Sequence, residues 1–407
     1  MVIDVPEQPT VVVLGAAGGM GRMAANVASS YADLGELVLA DIDVAAAERV
    51  VAELTPAART RLRAARVDVT DGAALRALLA DAQVVLNTTG PFYRFGTAVL
   101  QAAIASRCHY LDICDDWEPT IELLALSGTA AEAGILAIIG LGASPGVSNL
   151  LARLACERLD RVDDLYTAWP IDAGAGDFAL DDESVVGAGA SAAIVHWMQQ
   201  ISGTIDVVET GQRVSRSPLA PVTIDYPGLG RGTAYTVGHP EPITLREPMN
   251  VHGSSANLML LKRSTAAYLD LIRNDLDAGK LSHEDAAAEI TNQRTTRIAR
   301  AMIGALGRKG AGALPGFFAF ARGQRDGRSL RIGVHLHAMP ADMAGATSVP
   351  LALGLRQLLD GRLDATGAHP PESVIDVASL LDGFALTCNP PLAGMSELVV
   401  VNEAPAI

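Results

Sequence analysis

The residues best suited to chemistry come first in the chain. Gly15, Gly18 and Gly21 recur at three-residue spacing in LGAAGGMGR (14–22), after the apolar run TVVVL and before an Ala-rich segment. There the first glycine can make a tight turn, and the second lets backbone N–H groups approach a pyrophosphate. The third lets a helix lie close on the preceding strand. Ala17, Gly19 and Met20 complete the phosphate-facing loop. Asp41 ends the next apolar run, ELVLAD, where a carboxylate can hold ribose hydroxyls. The same Asp41 also suits a cap for the helix expected over 44–54. A carboxylate there repels a 2′-phosphate, and no Arg or Lys follows it in ADIDVAAAE. NAD is therefore expected, with NADP possible if Arg22 turns toward the phosphate.

Later apolar runs end in further polar groups. Asp68 follows a short run, and Thr88, Thr89, Gly90 and Pro91 follow QVVLN; all five are expected beside the cofactor. In the adjoining FYRF, Phe92 suits either core packing or a substrate face. The Tyr93 hydroxyl can exchange a proton or touch substrate. YLDICDDWEPT (110–120) holds Asp112, Asp115 and Asp116, three carboxylates within five residues. They repel one another unless a cation is near, which suits a pocket for an ammonium or iminium group. Asp112 and Asp115 are then candidates for proton exchange, and Asp116 for substrate contact. The competing role is a helix cap, to which Asp116 is best placed. Cys114 reads as a small buried side chain. Cys108, His109, Asp112 and Cys114 match no zinc spacing, so no metal is expected.

GASPGVSN (142–149) offers Ser144 and Pro145 to the cofactor, and Ser148 and the substrate candidate Asn149 to a carboxylate or the carboxamide of nicotinamide. Ser144 serves equally as a cap. Downstream, Arg231 could grip a carboxylate in bidentate fashion. His239, in GHPEP, is a substrate contact or a turn residue.

Alternating elements must position these groups. Strands are expected at 10–15, 36–41, 66–69, 83–88, 109–114 and 135–140, and helices at 20–31, 44–54, 71–80, 96–106 and 118–133. Continuous apolar strands between helices imply a parallel sheet buried on both faces. After Asn149 the pattern shifts to Gly- and Pro-punctuated strands at 204–210 and 221–226, with a helical stretch at 188–200. Helices are expected over 257–308, a strand at 329–339, and helices at 349–359 and from 371. The pattern reads as α/β: a Rossmann-type doubly wound parallel sheet followed by an α+β domain.

The 407 residues carry 31 basic and 46 acidic side chains, a net charge of −15. Such a surface repels phosphate backbones and anionic lipid, so neither nucleic acid nor membrane is an expected partner. Four cysteines without a C-x-x-C pair suit reduced cytoplasmic thiols. MVIDVPEQPT has no basic leader character. The most apolar stretch, 133–147, is too short and too rich in Gly and Pro to span a bilayer.

At these motifs the chain resembles the saccharopine dehydrogenase (reductase-type) superfamily, which includes saccharopine reductases, lysine 6-dehydrogenases and carboxynorspermidine dehydrogenases. The resemblance rests on GAAGGMG, GPFYRFG, HYLDICDDWE, GASPGVSN, GHPEP and PPE, in order along nearly the whole chain. It implies a Rossmann domain completed by the C-terminus, and a second α+β domain, inserted before that returning C-terminal segment, that contacts substrate and forms a homodimer. The division it implies is 1–150 plus 340–407, and 151–339. It also implies hydride transfer between nicotinamide and an amine/imine carbon of an amino acid, opine or polyamine precursor. Two other functions compatible with the sequence are an enoyl (C=C) reductase and a nonenzymatic NAD-sensing protein.

Overall fold

The computed structural model describes residues 5–171 and 192–406. Residues 188–191 of the expected helical stretch lie outside them. The chain divides into two compact units, 1–147 with 338–398, and 148–337 with 399–407.

The first unit is built on six strands in sequence: β1 (Thr10–Leu14), β2 (Glu36–Asp41), β3 (Arg61–Arg66), β4 (Val84–Asn87), β5 (His109–Asp112) and β6 (Leu136–Ile138). Their order is β6-β5-β4-β1-β2-β3 and every pairing is parallel. Val11, Val12, Val13 and Leu14 of β1 are wholly buried, as are all four residues of β4. This is what helices on both faces of a parallel sheet require. Helix Gly72–Leu79 starts where expected, since Asp71 accepts the N–H groups of Ala73 and Ala74 at 3.0 Å each.

β3 lies five residues before its expected start at 66. It is the edge strand, so RLRAAR alternates exposed and half-buried residues and lacks an apolar run. The helix expected from 96 begins at Phe92, with Pro91 at its N-cap position. The stretch 118–133 is two helices, Trp117–Ala125 and Ser127–Ala133.

The second unit carries β7 (Arg161–Pro170), β8 (Ile205–Glu209), β9 (Gln212–Arg216), β10 (Pro221–Tyr226), β11 (Gly230–Val237), β12 (Ser255–Leu260), β13 (Phe318–Arg325) and β14 (Arg328–Leu336). The helical region expected from Asn257 does not begin there; residues 257–260 belong to β12. That strand is fully buried, between β11 and β7. Period alone does not separate a short apolar strand from a buried helix.

The returning segment supplies helix Met343–Leu359 and β15 (Gly367–His369), which pairs parallel with β6 as the seventh strand of the first sheet. Helices Pro371–Val374 and Val377–Ala385 follow. The last strand, β16 (Val399–Pro405), corrects the expected division. It pairs antiparallel with β14 and so belongs to the second unit's nine-stranded sheet.

Candidate functional site

The glycine turn has the geometry its spacing implies. Gly15 sits at φ +74°, which glycine adopts at little steric cost. Gly18 N–H donates to the Gly15 carbonyl at 3.0 Å and stands at the N-cap of helix Gly19–Ser29. No side chain caps that helix, and its first turn holds no acid. Its leading N–H groups therefore remain for an anion. A Cβ on Gly19 would meet nothing within 4 Å, whereas one on Gly21 would lie 2.2 Å from the Gly15 carbonyl oxygen. The turn thus has an open rim and a tight floor, and it fits a dinucleotide pyrophosphate. Ser348 of the returning helix donates to the Met20 carbonyl at 2.8 Å and ties the loop from behind.

Asp41 closes the turn from β2. Its Oδ2 accepts from Ala17 N–H and its Oδ1 from Asp43 N–H, each at 3.0 Å. The capping role considered for Asp41 belongs to Asp43, which accepts from Ala46 N–H. Arg22, the cation available for a 2′-phosphate, is ion-paired with Glu53. Asp41→Ala removes the acceptor for Ala17 together with the carboxylate expected to meet the ribose. We expect NAD(H) affinity to fall by about tenfold or more, and NADP(H) affinity by less. Equal losses in a fluorescence titration would take Asp41 off the ribose.

Thr88 donates from Oγ1 to the Leu14 carbonyl at 2.7 Å, and Thr89 N–H donates to Asn87 Oδ1 at 3.0 Å. These bonds lay the start of the 88–91 segment against the end of β1. Asp68 is partly exposed, and hydrogen bonds from Thr70 hold its carboxyl below the usual range. Pro145 accepts Gly142 N–H through its carbonyl at 2.9 Å, shaping the loop that also carries Ser144.

The acidic cluster divides. Asp112 is wholly buried. Its Oδ1 accepts from Gly140 N–H at 2.6 Å and Cys114 N–H at 3.0 Å, and its Oδ2 from the Tyr110 hydroxyl at 2.7 Å. Tyr110 in turn accepts from Asn87 Nδ2 at 3.0 Å. The carboxyl therefore braces the ends of β4, β5 and β6. Burial pushes its pKa up to about 6, against the opposing hydrogen bonds from Gly140, Tyr110 and Cys114. Asp116 occupies the N-cap position of helix Trp117–Ala125, but its side chain makes no capping hydrogen bond. Asp115 is only partly buried.

The aromatic run also divides. Phe92 is 7 % exposed and packs in the first unit's core. Tyr93, one position on, is 56 % exposed.

In the second unit, Asn149 and His239 join one buried polar cluster. Asn149 Nδ2 donates to Thr244 Oγ1 at 3.2 Å, and Ser148 Oγ reaches both Asn149 Oδ1 and Glu241 Oε1. His239 Nδ1 lies 3.5 Å from Glu241 Oε2. Arg231 is apart from them, highly exposed on β11 and 3.8 Å from Asp225. Ser348, Asn87, Tyr110, Glu241 and Asn257 were not picked out from the sequence. Asn87 and Tyr110 had a usable signal, since a polar residue in a strand buried on both faces must find a partner.

Residues 11–138 match the family model described as the saccharopine dehydrogenase NADP binding domain. A carboxynorspermidine synthase of Vibrio cholerae is 23% identical over 352 residues, covering 79% of this chain and 80% of the relative. A saccharopine dehydrogenase (L-Glu forming) structure from Saccharomyces cerevisiae superposes with a TM-score of 0.57 at 15% identity, covering 97% of this chain and 100% of that one. The matched domain, the relative and the fold all point to a likeness to the saccharopine dehydrogenase superfamily. Its fold is that of a saccharopine-dehydrogenase-like NAD(P) oxidoreductase. Among the described residues no helix is long and apolar enough to cross a membrane.

Proposed function

We propose that this chain is an NAD(P)-dependent oxidoreductase. It moves a hydride between nicotinamide and the carbon of an amine/imine pair in an amino acid, opine or polyamine precursor. The observation that carries the reading is the glycine turn, with its uncapped helix N-terminus facing open space and Asp41 across it. The substrate class draws on the likeness to a carboxynorspermidine synthase and to the superfamily.

The dinucleotide, when bound, supplies the hydride donor or acceptor. The protein's part is to bind, orient and manage protons. N–H groups of the first helical turn hold the pyrophosphate, and Asp41 holds the adenosine ribose. The engaged Arg22 and the Asp41 carboxylate favour NAD over NADP. Tyr93 and Asp115, less buried than Asp112, are the groups available for the amine proton. Asn149 and His239 are the substrate contacts in the second unit; exposed Arg231 has the weaker case.

The test follows NADH and NADPH absorbance with an amine plus a keto acid, with lysine in the oxidative direction, and with an enoyl thioester. Turnover is expected with the amine pairs and faster with NADH. Turnover with the enoyl thioester alone would replace the reading with C=C reduction. Tight NADH binding and no turnover on any of them would leave a binding protein.

A further inference from the structure

We infer that Glu241 is a positioning residue for His239: it fixes the neutral imidazole as the Nδ1–H tautomer and leaves Nε2 as an acceptor for a substrate N–H. The functional half of this statement rests on the proposed amine chemistry; the tautomer does not.

The argument is one of donors and acceptors. Trp169 Nε1–H can only donate, and it donates to Asn257 Oδ1 at 2.8 Å. That bond fixes the Asn257 amide, so its Nδ2 faces Thr167 Oγ1 at 2.9 Å and Glu241 Oε1 at 2.7 Å. Ser148 Oγ–H donates to the same Oε1 at 2.9 Å. With Oε1 taking two donors, the other oxygen, Oε2, is turned to His239 Nδ1 at 3.5 Å. A carboxylate only accepts, so Nδ1 must carry the hydrogen. The separation exceeds a closed hydrogen bond, as pairs of this kind often do before a substrate binds.

The surroundings make the arrangement stiff. Glu241 and Asn257 are wholly buried, Ser148 is 1 % exposed and His239 3 %. The His239 ring lies against Trp169, with centroids 5.4 Å apart and planes at 35°. His239 Nε2 makes no hydrogen bond among the described residues. A buried imidazole with one nitrogen facing a carboxylate oxygen at 3.5 Å, and the other making no hydrogen bond among those residues, is suited to accept from an ammonium or amine N–H.

The test is the tautomer itself, read from the ¹³Cδ2 and ¹⁵N shifts of His239 in labelled full-length protein near pH 8. The Nδ1–H form is expected. In Glu241→Gln the amide oxygen should occupy the position that receives Ser148 and Asn257, and the NH₂ should face Nδ1. The ring should then switch to Nε2–H. With an amine substrate, kcat should fall by about a hundredfold while NADH affinity is unchanged. An Nε2–H ring in the wild type, or an unaltered tautomer in Glu241→Gln, overturns the inference. A chain inactive on every amine but showing the expected switch would overturn the proposed function and keep the positioning role of Glu241.

Discussion

Gly21→Ala is expected to loosen the dinucleotide turn and lower cofactor affinity at least about a hundredfold, a loss of about 2.7 kcal/mol. The added Cβ would sit 2.2 Å from the Gly15 carbonyl oxygen and 2.7 Å from Thr88 Oγ1. The carbonyl is backbone and has no rotamer to give. It also accepts Gly18 N–H, so moving it opens the turn that presents the helix N-terminus. Overpacking of this kind costs about 1–3 kcal/mol of stability, more where backbone must shift. For a unit of this size that is a fall in Tm of roughly 5–10 °C. Gly19→Ala is the control, because its Cβ would meet no protein atom within 4 Å. It should leave Tm unchanged. Calorimetric titration with NADH and thermal scans of both variants check the pair. Equal Tm for Gly21→Ala and wild type would mean that the third glycine is not a packing requirement.

The second large effect is a pH-dependent change in stability carried by Asp112. Its pKa in the folded chain is pushed up to about 6 by burial, above the ordinary value near 3.8. A group whose folded pKa is raised contributes stability that is fully present below about pH 4. That contribution is lost as pH rises through about 6. By pH 7 the loss is about 3 kcal/mol. Asp112→Asn stays neutral and keeps an oxygen for Gly140 and Cys114. Denaturant unfolding of both proteins between pH 4 and 7 should show the variant gaining on the wild type by about that amount as pH rises. A constant difference over the range would mean that Asp112 does not titrate in the buried network. The same variant distinguishes a brace from a proton donor. Turnover should stay within about threefold of wild type, whereas loss of a general acid costs about 10²–10⁴.

Asp112 also shows where sequence reading reached and where it stopped. Three carboxylates in five residues correctly drew notice to the end of β5. Which of them faces solvent depends on what lies beside each. Asp112 meets the N–H of Gly140, 28 residues on, and the hydroxyl of Tyr110. Tyr110 lies two residues back on the same face of β5, but Gly140 follows from the order β4-β5-β6 in the sheet, which spacing along the chain does not contain. Phe92 and Tyr93 are adjacent in sequence, yet one is core and the other exposed. The helix that starts at Phe92 separates them, and the run read equally well as loop. The 255–260 segment is ambiguous because a short buried run, five apolar or small residues with Asn257 among them, suits a buried strand and a buried helix alike.

What the sequence determined alone is short-range. The glycine turn, the cap at Asp71 and the apolar runs that must be buried on both faces follow from dihedral preference, local hydrogen bonding and hydrophobic pattern within a few residues. The tertiary structure decided the polar pairings: Asp112 to Gly140, Glu241 to Ser148 and Asn257, and β16 to β14 in the second unit. A buried donor or acceptor must be satisfied, but any suitable partner will serve. Only the packing of elements distant in sequence selects which one it meets.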